Sequence, residues 1–99
     1  KMHDVKVYLE FDKMITSLAG NRLGREVYKK QIADKMTDKG VLAILPEYIE
    51  DIASSFYEGI FAELKEKYGT ERAHELLSIY TNNEYINNKM NDIRETYGV

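Results

Sequence analysis

The sequence predicts an α/β (α+β) domain, a small mixed or parallel β-sheet packed with about three helices. Three observations predict it. Val5, Val7, Leu9 and Phe11 alternate with Lys6, Tyr8, Glu10 and Asp12, the period of a strand with one buried face. Val41-Leu42-Ala43-Ile44-Leu45 is a continuous apolar run, as in a strand covered on both faces. Three further stretches place apolar residues every three or four positions, as amphipathic helices do. With 99 residues and no linker, repeat or low-complexity segment, the chain reads as one domain over 1–99.

The elements follow in order. After the first strand Asp12-Lys13 makes a turn, and Met14-Ile15-Thr16-Ser17 continues or repeats the strand. Asn21 is the predicted N-cap of a helix over residues 22–39, with Leu23, Val27, Tyr28, Ile32 and Met36 as its apolar stripe. Asp38-Lys39-Gly40 ends it. Gly24 costs that helix about 1 kcal/mol against alanine and marks close packing against the sheet. Pro46 breaks the central apolar run, so the chain through Ile52 reads as irregular or as an edge extension. Ser55-x-x-Glu58 matches a capping box for the next helix. Phe56, Ile60, Leu64 and Tyr68 form its buried stripe, with Phe61 alongside, and Gly69 stops it.

Residues 70–77 have helical propensity, whereas residues 76–81 fit a short strand. A strand over 75–80 is preferred, because a two-stranded sheet leaves helical faces uncovered. In the last helix, over residues 83–97, Ile86, Met90, Ile93 and Tyr97 share one face.

Composition narrows the function. A net charge of −3 argues against nucleic-acid binding, which needs a basic surplus. No apolar run approaches the roughly 18 residues of a membrane span. Cysteine is absent, which removes disulfides and thiolate metal sites and fits a cytoplasmic protein. His3 and His74 are too scattered for a metal site, and Glu47, Glu50 and Asp51 read as a solvated acidic loop. Neither a phosphate-binding glycine motif nor a nucleophile–base pair is visible. The expectation is a protein without catalytic residues, metal or cofactor.

The most informative segment is Ile49-Glu50-Asp51-Ile52-Ala53-Ser54-Ser55-Phe56-Tyr57-Glu58, where a strand runs into a helix. Ser54 and Ser55 sit where unpaired N–H groups and the helix dipole favour negative charge. They read either as a cap and a turn residue or as a site where phosphate is added. Arg22 and Arg25 flank another helix start, where a cation is unfavourable unless it answers a partner, an anion or a salt bridge. Tyr48 and Tyr57 are candidate interface anchors. The cluster Asn82, Asn83, Asn87, Asn88 and Asn91 reads as caps and exposed helix faces.

Three anchors carry a family resemblance. Leu18-Ala19-Gly20-Asn21-Arg22-Leu23-Gly24-Arg25, the 49–58 segment, and Tyr80-Thr81-Asn82-Asn83 together resemble the STAS-like family of unknown function. That family is a relative of the STAS domains of anti-sigma-factor antagonists. The resemblance implies a regulatory module that binds a protein partner, for the antagonists a kinase-like ATPase, with serine phosphorylation at the start of the second long helix breaking the complex. Ser54, the closer match, and Ser55 are the implied phosphorylation positions. Ala53 stands where the antagonists carry an aspartate, Phe56 where they carry a glycine, and Leu45 where the STAS-like family often carries an acidic residue. The implied partner surface comprises Asn21, Arg22, Arg25, Tyr48, Glu50, Asp51, Ser54, Ser55, Tyr57 and Glu58. Self-association is left open. The alternatives are a small nucleotide- or ligand-binding protein or enzyme, and a phage or mobile-element inhibitor of a host protein.

Overall fold

The computed structural model describes His3 and residues 5–98. It is a mixed α/β globule. Strand β1 (Val5–Tyr8) pairs with β3 (Val41–Ile44), and β3 pairs with β5 (Leu77–Tyr80), both in parallel. A second, two-residue parallel ladder joins β2 (Ser17–Leu18) to β4 (Asp51–Ile52). The helices are α1 (Asn21–Val27), α2 (Ser54–Tyr68), α3 (Thr70–Leu76) and α4 (Glu84–Tyr97).

The three-stranded order β1-β3-β5 advances in one direction. Right-handed crossovers in such a sheet drop every helix on the same face. Burial follows: Val7, Val41, Ala43 and Leu77 on the covered face are buried, whereas Leu42 and Ile44 on the other face are only half-buried. Tyr8 and Tyr80, which flank Ile44 in register, are 67% and 46% exposed. The central strand is therefore covered on one face, not two as its apolar run predicts. The run extends past the strand, and Leu45 donates its N–H to the Tyr80 carbonyl at 2.9 Å.

The helical run that starts with α1 begins one residue early and, counting its π and 3-10 turns, ends four early relative to the predicted 22–39. Gly20 is its N-cap, not Asn21. It continues through a π turn at Tyr28–Ile32 and a 3-10 turn at Ala33–Lys35. In the π turn the Ala33 N–H reaches back five residues to the Tyr28 carbonyl. Tyr28 and Ile32, four apart on this run, are both buried. Burial pushes the Tyr28 hydroxyl up to about 12.

Three other expectations change. Residues 75 and 76 belong to α3, and the strand starts at Leu77. After Pro46 the chain is irregular through Glu50, as expected, but its end forms β4 at Asp51–Ile52, paired with β2. Tyr68 and Tyr97, assigned to buried stripes, are 55% and 58% exposed at the ends of their helices. Ile60 and Leu64, and Ile86, Met90 and Ile93, are buried as their spacing requires.

Candidate functional site

Strands β2 and β4 lie side by side, and each runs within two residues into a helix, so the starts of α1 and α2 emerge together. Two hydrogen bonds join the turns. Ala53 donates its N–H to the Leu18 carbonyl at 2.8 Å, and Gly20 donates its N–H to Ser55 Oγ at 2.9 Å. Beyond the turns α1 and α2 cross backbone to backbone. A Cβ on Gly24 would meet the Phe56 carbonyl oxygen and come within 2.6 Å of the Ile60 nitrogen. A Cβ on Gly59 would meet the Asn21 carbonyl oxygen and come within 2.9 Å of the Asn21 carbonyl carbon. Gly24 thus packs against a helix, where the sequence reading placed it against the sheet.

Ser55 is not the N-cap. Ala53 holds that position without a side-chain bond, and Ser54 and Ser55 are the first two helical residues. The Ser55 hydroxyl serves the neighbouring turn, so the capping box with Glu58 does not form. Ser54 is half-buried and Ser55 exposed. Both hydroxyls lie where α2 leaves its first N–H groups unpaired.

The other candidates divide. Arg22 and Glu50 are exposed, and neither side chain has a polar partner among the described residues. Arg25 is held on the protein itself: its Nε donates to Asn21 Oδ1 at 2.9 Å and its Nη2 pairs with Glu66 at 3.1 Å. Asp51 belongs to an ion pair, accepting from Lys89 Nζ of α4 at 2.6 Å and from the Ile52 N–H at 2.9 Å. Those bonds, the lysine's first, hold its carboxyl below the ordinary 3.8. Tyr48 is half-buried and donates to the Phe11 carbonyl at 2.6 Å. Glu58 is half-buried on the second turn of α2.

Tyr57 is an interior residue, 5% exposed, and not a surface anchor. Its ring packs on Phe61 with centroids 4.9 Å apart, and burial pushes its hydroxyl up to about 12. Phe61 in turn stacks on His74 at 4.3 Å. These three rings line a groove of about 330 Å³ between α4 and the free edge of β5, with Asn88, Asn91 and Arg94 on its rim. Tyr57 and Phe61 meet because they lie four apart on α2, and the packing of α3 on α2 brings His74 to them.

In α3 the His74 Nδ1–H donates to the Thr70 carbonyl at 3.1 Å, while Nε2 is buried without a partner among the described residues. Burial lowers this imidazole below its ordinary 6.5, the Thr70 bond opposing it. The unfolded chain takes up the proton near pH 6.5 and the folded chain only at lower pH. Between those values the unfolded state binds more protons, so stability is complete above 6.5 and falls as the pH drops through the window. Urea midpoints should therefore decline on acidification below neutrality. His74→Phe, which keeps a flat ring against Phe61, should flatten the decline, and an unchanged slope would assign it to other groups.

Among the described residues no three His, Asp or Glu side chains gather as metal ligands, and no helix is long and apolar enough to cross a membrane. The Ser55 hydroxyl faces an amide N–H, which takes no proton, and no basic side chain bonds to Ser54 or Ser55 among those residues. Compared with family models, curated proteins and solved structures, the chain matches none.

Proposed function

We propose that this protein is a non-enzymatic regulatory interaction module of STAS-like type. It docks a protein partner on the paired starts of α1 and α2. The observation that carries the reading is the tie between those starts, the Gly20 N–H to Ser55 Oγ bond backed by the Gly24–Gly59 crossing. It makes a preorganised platform, and preorganisation lowers the ordering cost of binding. Arg22, Glu50 and Ser55 are exposed on this platform, beside half-buried Ser54. Asn21, Arg25 and Asp51 support it through their internal bonds, and Tyr48 and Glu58 lie at its border.

Phosphorylation is part of the same reading. A phosphate on Ser54 gains from the N-terminal dipole of α2 and leaves the Ser55 bond intact, yet sets a dianion on the docking surface. A kinase-like ATPase is the partner class that the resemblance of the three sequence anchors supplies.

The test is affinity capture from the native cell, with the stoichiometric partner identified and its binding measured on purified components. Ser54→Glu and Arg22→Glu should each weaken binding by about tenfold or more. Tyr97→Ala, at the far end of α4, should leave it unchanged. A complex indifferent to both corner substitutions, in variants with native circular dichroism, would place the interface elsewhere.

A further inference from the structure

From the cleft between the loop after β1 and helix α1, we infer what the protein partner brings: an apolar side chain flanked by lysine or arginine. The cleft, of about 180 Å³, is lined by Phe11 and Ile15 from the loop and by Leu23 and Val27 from α1. Val27 is buried, but Phe11, Ile15 and Leu23 are only half-buried although all three pack against the core. Met14, between the lining residues Asp12 and Ile15, is 88% exposed. The loop's own bonds fix that exposure. Asp12 Oδ1 accepts the Met14 N–H at 2.9 Å, and the Ile15 N–H reaches the Asp12 carbonyl at 2.9 Å. Three partly bare apolar residues around a hollow, with an adaptable thioether beside it, make a contact surface.

Charge selects the occupant. The charged residues that line the cleft are Glu10, Asp12, Glu26 and Lys30, and Lys13 on the turn does not line it. Lys30 pairs with Glu26 at 3.8 Å, which leaves Glu10 and Asp12 in surplus. The Glu10 carboxylate has no polar partner among the described residues, whereas its backbone N–H and carbonyl are both taken by Gln31. A carboxylate surplus at a rim draws a basic partner and repels an acidic one. The small volume suits a single large apolar side chain, an anchor rather than a whole helix face. Leu23 and Glu26 also line the hollow beside Ala19, Gly20 and Arg22, so the cleft runs on into the paired helix starts. Its occupant is therefore the partner of the docking reading, on which this assignment rests.

The probe is a library of random peptides displayed on phage and selected on the immobilised full chain. The selected peptides should share one large apolar residue with Lys or Arg close by. A synthetic copy should give saturable NMR shifts at the Phe11, Ile15 and Leu23 amides. Met14→Ala and Glu10→Lys, both at exposed positions, should each weaken that peptide by about tenfold. Added salt should weaken it more on the parent chain than on Glu10→Lys. Selected peptides without a basic residue, shifts elsewhere, indifference to both substitutions or no saturable binding each overturn the assignment. So does a dimer of the free chain in sedimentation that Met14→Ala disperses, which makes a second copy the occupant. The docking reading fails by a different result, a captured partner that ignores Ser54→Glu and Arg22→Glu. A partner weakened by those two but not by Met14→Ala or Glu10→Lys removes the cleft alone.

Discussion

Gly59→Ala is expected to destabilise the protein by about 3 kcal/mol, although alanine is the better helix former by about 1 kcal/mol. The sign is set by backbone rather than by propensity. The new methyl would overlap the Asn21 carbonyl oxygen and sit 2.9 Å from two further Asn21 backbone atoms. No rotamer of a flexible side chain relieves that contact, so α1 and α2 must separate. Separation would also stretch the Gly20 to Ser55 bond and loosen the core beneath, where Phe56 and Ile60 are fully buried. For a chain of this size the melting temperature should drop by about 15 °C. Gly24→Ala should behave alike, because its methyl meets α2 backbone near Ile60. Asn91→Ala, on an exposed position of α4, should move stability by less than about 0.5 kcal/mol. Thermal and urea denaturation of the three variants checks this, and a Gly59→Ala protein as stable as its parent would mean the helices lie farther apart.

Asn87→Ala should cost about 2–3 kcal/mol. The β5 strand ends at Tyr80, and Thr81 follows with no exposure to solvent. Its backbone polar groups are served by one side chain: Asn87 Oδ1 accepts the Thr81 N–H at 3.2 Å and Asn87 Nδ2 donates to the Thr81 carbonyl at 2.7 Å. The carboxamide acts as a one-residue extension of the sheet. Alanine leaves a donor and an acceptor buried and bare, whereas a lost exposed bond would cost little. Thr81 also accepts the Asn83 N–H at 3.2 Å through Oγ1, and Asn83 caps α4. The damage should therefore spread to the start of α4, read as faster amide exchange at Ile86. Stability within about 0.5 kcal/mol of the parent would show that water replaces the carboxamide.

Asn87 illustrates what a one-dimensional reading misses. It belongs to a run of asparagines read as caps and exposed faces, and Asn83 is indeed a cap. Asn87 lies on the same helix, yet its amide turns inward, because the buried strand end at Thr81 needs it. Nothing local distinguishes Asn87 from Asn88. Ser55 misled in the opposite way. Its spacing to Glu58 fits a capping box, but the Gly20 amide, 35 residues away, takes the hydroxyl first. Tyr57 was placed at an interface by composition, whereas its position on α2 turns it toward Phe61 and His74.

The α/β class, the β1, β3 and β5 strands and the helical stripes were legible in the chain because period-two alternation, unbroken apolar runs and 3.6-residue spacing are written within a few neighbouring positions. Pro46 and Gly69 punctuate at the same short range. The pairing of two helix starts, the burial of one sheet face alone, and the groove beside β5 were settled by the fold in three dimensions. Each depends on contacts between segments tens of residues apart, where backbone clearance and unmet hydrogen bonds, rather than residue type, choose the neighbour.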